Sequence, residues 1–246
     1  MTASELKEEF NLRYNNALEG APGLDTFEIS SYLTIAQEQY VKNMYDATKD
    51  PTSSFELNEK ARRVLNELVK DEKITSQVSS TRGLVSESKF FEISTTAMYI
   101  VLETATINNP TNLAIHGKVI PVIPTTHDEF MISYRNPFRK PNKNKAWRVD
   151  LSKQNSKTTV EIVSEENLSR YNLRYIAYPS PIIVGDLTLT SDVAGLGLSI
   201  QGKTAQATCK LAELAHRDII NIAVENAVLD YRDGTLQARM TLDSRV

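Results

Sequence analysis

Among the 246 residues there is a single cysteine, Cys209. That excludes an internal disulfide framework and any zinc module built on several cysteines. It fits a reducing setting, a cytoplasm or an assembly built there. Glycine is also scarce. None of the nine glycines has the G-x-x-x-x-G-K-[ST] spacing that lets backbone amides cradle phosphates. Gly195-Leu196-Gly197 runs on into Leu198, Ser199 and Ile200, so the third glycine of a dinucleotide fingerprint is missing. Thr190 to Gly202 reads instead as a flexible loop. Three histidines and no G-x-S-x-G elbow leave little room for a nucleophilic triad. Neither sign of charge dominates: 28 Lys and Arg against 31 Asp and Glu give a net charge of −3. A surface made wholly as a polycation for nucleic acid is thereby excluded. No apolar run approaches the ~18 residues of a membrane span, and the first ten residues lack the basic and apolar regions of a secretory signal. This inventory leads us to expect neither cofactor nor membrane.

What is present falls into three zones. Residues 1 to about 75 read as helices joined by turns, the pattern of a small bundle. Thr2 or Ser4 caps the first, and Leu6, Phe10, Arg13 and Ala17 follow its helical step. The second runs from about Ser30 or Ser31 to Thr48, with Leu33, Ala36, Tyr40, Val41 and Met44 on one face and Gln37, Glu38 and Lys42 largely off it. Asp50 to Ser54 forms a turn. The third helix begins near Ser54 or Phe55, with Leu57, Ala61, Val64, Leu65 and Leu68 as its stripe. A polar linker, Thr75 to Gly83, marks a boundary. From about 85 to 208 the period shortens. Phe90–Ser94, Met98–Glu103, Gly117–Pro124, Trp147–Leu151, Thr158–Val163 and Asn172–Tyr178 read as short strands of an antiparallel sheet, sandwich or small barrel. Pro121 and Pro124 push their strand toward a sheet edge. A helix then runs from about Lys210 to Arg232, apolar over so broad an arc that it needs more than one neighbour, the natural ones being the N-terminal helices. The tail from Asp233 to Val246 is short and polar. The expected fold class is α+β: a helical domain of residues 1–75 and 210–246, with a mostly antiparallel β domain, 85–208, inserted.

Groups with catalytic or metal-binding chemistry are few. His127-Asp128-Glu129 reads as a polar turn before a strand at Phe130-Met131-Ile132, with His116 too far upstream for a ligand motif. Cys209 and His216 are seven apart, two turns along one helix face and out of reach of each other. Cys209 reads as a small buried residue. Glu165-Glu166 reads as a solvated or capping pair. No catalytic, cofactor-binding or metal residue is assigned.

One segment carries a charge signal. Arg135 to Arg148 holds six basic residues, Arg135, Arg139, Lys140, Lys143, Lys145 and Arg148, with no acid and with Phe138 and Trp147 among them. Basic residues interleaved with aromatics serve single strands or phosphates. They equally serve a loop that docks on an acidic protein partner. Two prolines and three asparagines favour a loop over a recognition helix. Arg135, Arg139, Lys140, Lys143, Lys145, Trp147 and Arg148 are therefore the candidate contact residues, for protein or for DNA.

Three stretches together resemble the neck (head–tail connector) ring proteins of crAss-like and related tailed bacteriophages. The first is Tyr32-Leu33-Thr34-Ile35-Ala36-Gln37-Glu38-Gln39-Tyr40-Val41, followed by Phe55-Glu56-x-Asn58-Glu59-Lys60-Ala61-Arg62-Arg63-x-Leu65. The second is Pro124-Thr125-Thr126-His127-Asp128-Glu129-Phe130, then Arg135-Asn136-Pro137-Phe138-Arg139-x-Pro141 and Trp147-Arg148. The third is Leu173 to Ile183, leading to Cys209-Lys210-Leu211-x-Glu213-Leu214-Ala215-His216-Arg217-Asp218-Ile219-Ile220 and Ala223-Val224-Glu225. The resemblance implies a non-enzymatic virion protein, assembled in the host cytoplasm as a homo-oligomeric, twelve-fold ring of the neck. It implies the portal protein and other neck or tail proteins as partners, with DNA passing through and contacted non-specifically. The alternative function is a nucleic-acid-binding accessory protein using the basic loop 135–148.

Overall fold

The computed structural model describes residues 1–18, 20, 22–45, 59–78, 83–85, 88–154, 157–188 and 198–243. The turn expected at Asp50–Ser54, the start of the third helix, the Gly195-Leu196-Gly197 stretch and parts of the linker lie outside these residues. The fold is α+β, and the chain divides into two compact units, residues 1–68 with 179–246, and residues 69–178.

The first unit is built on helices α1 (Ala3–Ala17), α2 (Thr26–Tyr45), α3 (Glu59–Leu65) and a long α5 (Glu213–Asp243). Thr2 and Glu5 close a reciprocal capping box on α1, satisfying amides that have no partner inside the helix. Asp25 and Glu28 do the same for α2, so α2 begins before the Ser30 expected from apolar period alone. α5 packs against both α1 and α2. Leu6, Phe10 and Tyr14 of α1, Ile29, Leu33, Ala36, Tyr40 and Val41 of α2, and Ile219, Ile220 and Ala223 of α5 are buried. Tyr14, one residue on from the expected Arg13, takes the inward position, and Leu214 of α5 stays exposed despite its place on the apolar arc. Gln37, read as lying off the apolar face, is fully buried, and neither amide atom has a hydrogen-bond partner among the described residues. The helix also continues past Arg232, where a polar tail was expected. Leu236, Gln237, Ala238, Arg239 and Met240 are all good helix formers, and they outweigh Gly234.

The stretch after Pro179, grouped by sequence with the β zone, belongs to this unit through two hydroxyls of α2. Thr34 Oγ1 accepts the Ile182 amide at 3.1 Å, and Ser30 Oγ accepts the Val184 amide at 3.1 Å. Each hydroxyl in turn donates to the carbonyl one turn back in α2. Ile183, Leu187 and Ile200 then cluster with Phe27 and Ala207. The chain reverses at Gln201-Gly202, where both φ angles are positive (50° and 73°) between the paired Ile200 and Lys203. This is the two-residue turn whose twist suits a hairpin, and glycine takes one of its left-handed positions without strain.

The second unit is a seven-stranded sheet in the order β1-β7-β3-β4-β5-β6-β2. Its strands are β1 (Val69–Ile74), β2 (Lys89–Ser94), β3 (Ala97–Ile107), β4 (Val119–Pro124), β5 (Ala146–Gln154), β6 (Lys157–Val163) and β7 (Leu168–Ala177). Val78 bridges to Phe90 of β2 just beyond β1, so the sheet curls almost into a barrel. Its inner face buries Phe91, Ile93, Ala105, Ile107, Ile120, Val160, Ile162, Tyr171 and Leu173 in one cluster. Strand β1 was not expected: Val-Lys-Asp-Glu-Lys-Ile is too polar to show a strand period. It survives as an edge, where charged side chains are tolerated, with Asp71 ion-paired to Arg174 across the ladder.

Strand β4 is not at the edge its prolines suggested. It lies between β3 and β5, but each partner holds only half of it. Val119–Pro121 pairs antiparallel with β3, and Val122–Pro124 pairs with β5. Each proline is the last residue of its short ladder, where a missing N–H breaks little. The β4–β5 pair is parallel, the one such pair between the named strands. Parallel neighbours cannot be joined by a tight turn and require a crossover. Residues 125–145 supply it.

Replacing Thr34 by valine keeps the shape but leaves the Ile182 amide buried without an acceptor. Thr34→Val is expected to lower stability by about 1–3 kcal/mol, read from the shift in urea midpoint at unchanged slope.

Candidate functional site

The crossover begins as a helix, α4 (His127–Ser133), where a turn and a strand were expected. Thr126 Oγ1 accepts the Glu129 amide at 3.2 Å. Asp128 and Glu129 sit in the first turn, where acids suit the helix dipole. The spacing Thr-x-x-Glu was the overlooked signal. Phe130 points inward, 4.9 Å from the ring of Tyr134 and 6.0 Å edge-on from Trp147. With Val149 and Val163 it forms a small core of its own. Met131 and Ile132 point outward, 61% and 76% exposed.

Asparagines shape the loop that follows. Asn136 Oδ1 accepts the Phe138 amide, and the Asn136 carbonyl accepts those of Arg139 and Lys140. This tight wrap turns Phe138 fully outward, 91% exposed. Asn142 accepts the Asn144 amide through its side chain and pairs by backbone with Lys145. Short polar side chains that bond their own backbone two residues on stabilise such turns.

The seven candidate residues divide. Arg135, Arg139 and Lys140 are exposed, and none has a side-chain partner among the described residues. Lys143 is exposed, with its ammonium 3.9 Å from Glu166. The other three serve the fold. Lys145 donates to the Arg139 carbonyl at 2.8 Å and lies 5.9 Å from the Trp147 ring centre. Trp147 is buried. Arg148 reaches inward, its Nη1 donating to Glu103 at 2.5 Å. Its Nε is 2.9 Å from Asp150, an ion pair without hydrogen-bond alignment. Tyr171 donates its hydroxyl to the other oxygen of Glu103 at 2.8 Å. Burial pushes the Glu103 carboxyl above its ordinary value, with Arg148 and Tyr171 pulling it partly back. Burial likewise raises the Tyr171 phenol, and the adjacent Glu103 adds to it.

The other residues singled out by type are held by packing and hydrogen bonds. His127 Nε2 lies 3.0 Å from the Asp150 carbonyl. Cys209 precedes α5 rather than lying on it; it is buried, and its thiol is pushed up to about 11, mainly by that burial. His216 Nε2 donates to the Leu211 carbonyl at 2.9 Å, and the Met1 amino nitrogen lies 3.2 Å from Nδ1. Among the described residues no group of three or more His, Cys, Asp or Glu could hold a metal ion.

Comparison with known proteins identifies the family of the chain. The family described as phage tail ring protein 3/4 matches residues 1–239. The chain belongs to this ring protein family of crAss-like phages. It is similar to Ring protein 3 of Bacteroides phage crAss001, 32% identical over 231 residues, covering 93% of this chain and 96% of that one. It is also similar to Ring protein 4/5 of the same phage, 28% identical over 251 residues, covering 100% and 99%. The family expectation drawn from the three motif stretches is thus met. A ring protein of the phage tail is a structural component of the virion and works as an oligomeric ring.

Two outcomes follow from the geometry. Arg148→Ala leaves Glu103 charged and buried without its cation, so it is expected to cost about 3–5 kcal/mol. Arg139→Ala is expected to stay within about 0.5 kcal/mol. Urea unfolding of the two variants side by side checks both. For His216, burial lowers the pKa below the ordinary 6.5. Its neutral form is the one the fold holds, so the stability it contributes is present above about pH 6.5 and is lost as pH falls through the lower folded value. The urea midpoint is expected to drop on acidification across this window, with a smaller drop in His216→Gln.

Proposed function

We propose that this protein is a non-enzymatic subunit of a ring in the phage neck, joining the capsid portal to the tail, with DNA passing through the ring. Family membership over residues 1–239 carries the reading. The motif resemblance to neck ring proteins supplies the position in the virion, the portal and neighbouring neck or tail proteins as partners, and a twelve-fold copy number. The helical unit forms the ring. The sheet unit presents its crossover to neighbours. Host cytoplasm is the site of assembly. His216, Cys209 and the Glu103–Arg148–Tyr171 cluster are engaged in packing, which suits a scaffold.

A ring needs contacts between unlike patches, because only a head-to-tail interface whose rotation closes gives a ring of more than two copies. Arg135, Arg139, Lys140 and Lys143 stay on the surface for such contacts, or for DNA in the lumen. With Trp147 turned inward, Phe138 is the one aromatic ring the loop exposes, where a dedicated single-strand binder offers several in succession. DNA contact is then mainly to phosphate, and phosphate contacts carry no sequence information.

Native mass measurement of the purified chain tests the ring, and twelve copies are expected. A DNA titration across a salt series tests the alternative. Weak binding without sequence preference is the expected result. Tight, sequence-selective binding by a monomer or dimer would promote the accessory-protein reading.

A further inference from the structure

Two surfaces of opposite character stand on the two units. On the sheet unit, Phe138, Ile132 and Met131 are 91%, 76% and 61% exposed, beside Arg135, Arg139 and Lys140, with no acid anywhere from Phe130 to Val149. On the helical unit, a groove of about 810 Å³ runs between α1 and the start of α5. Its apolar walls are Leu12 and Leu214, 62% and 77% exposed. Glu5, Glu8, Glu9 and Glu213 rim it, against Arg217 and the amino group of Met1. Glu5 is engaged in the α1 cap and Glu9 is ion-paired with Arg13. Glu8 and Glu213 are exposed and have no ion-pair partner among the described residues.

Large exposed apolar side chains rimmed by charge mark interaction sites. In protein interfaces a central aromatic anchor is desolvated while surrounding charges set register and partner choice. The two surfaces complement each other in both respects: an aromatic knob with a cationic rim, and a leucine-walled groove with an anionic rim. Because both are carried by every copy, the pair forms a head-to-tail contact of the kind that repeats around a ring.

We propose that the crossover loop of one copy docks in the α1–α5 groove of the next copy, with Phe138 between Leu12 and Leu214, and Arg139 and Lys140 facing Glu8 and Glu213. This rests on the ring reading and identifies the two halves of its repeating interface. The occupant of the groove is a second copy of this chain, because this chain itself carries an exposed apolar loop of opposite charge.

The test is a full-length double variant, Phe138→Cys with Leu214→Cys, oxidised mildly and run without reductant. A ladder of covalent dimers, trimers and higher species is expected, since each copy offers both halves. The parent chain, with only the buried Cys209, is expected to give no ladder. A second arm reverses charge. Arg139→Glu with Lys140→Glu should weaken self-association by roughly tenfold or more, and adding Glu8→Lys with Glu213→Lys should restore it. A double cysteine variant that assembles like the parent but yields no ladder overturns the interface and leaves the ring reading standing. So does a fast-migrating monomer with an internal disulfide. Charge reversal without loss, or loss without rescue, overturns the pairing. A parent chain that stays monomeric overturns the ring reading, and this interface with it.

Discussion

The parallel pairing of β4 with β5 is the constraint from which the exposed surface follows. Antiparallel neighbours close with a turn of a few residues, whereas parallel neighbours need a connection that leaves the sheet and returns. Here that connection is residues 125–145. Two anchors flank it. Phe130 and Trp147 lock α4 over the outer face of the sheet, while Arg148 ties the start of β5 to Glu103 of β3 inside it. Held at both ends, the middle carries Met131, Ile132, Phe138 and the unpaired cations into solvent at no cost to the core. Such fixed placement suits the proposed ring contact, because contact residues positioned in advance lose less conformational entropy on docking.

The helical unit is organised by hydrogen bonds from α2. Ser30 and Thr34 substitute for a missing strand, accepting the amides of Ile182 and Val184. Without them the extended segment after Pro179 would bury its backbone unpaired. Tyr32 and Gln39 join the same helix to Asp230 and Asn226 of α5. These polar ties fix the register between helices whose apolar faces alone would allow sliding.

The long helices, most strands and the family were legible in the sequence, because long amphipathic periods and the chain of motif pieces are local signals. The misreadings have physical reasons. β1 is charged because it is an edge. β4 contains prolines because each of its two ladders ends on one. α4 was hidden because Phe130-Met131-Ile132 has no period of its own, and only its cap betrays it. At the candidate surface, loop character and the exposed basic residues were visible, but charge and aromaticity do not tell which side chains turn inward. Trp147 and Arg148 lie on strand β5, where alternation sends one toward Phe130 and the other toward Glu103. A strand over Phe130-Met131-Ile132 would send only alternate side chains outward, whereas helix α4 exposes both Met131 and Ile132.

The central claim is that the crossover is the surface this subunit uses in assembly. Hydrogen exchange, compared between the assembled particle and the dissociated subunit, measures that directly. The account predicts that amides across residues 131–143 exchange markedly more slowly in the particle, while those of β3 and β7 are unchanged. Equal exchange across residues 131–143 in both states, with protection elsewhere on the chain, would contradict it.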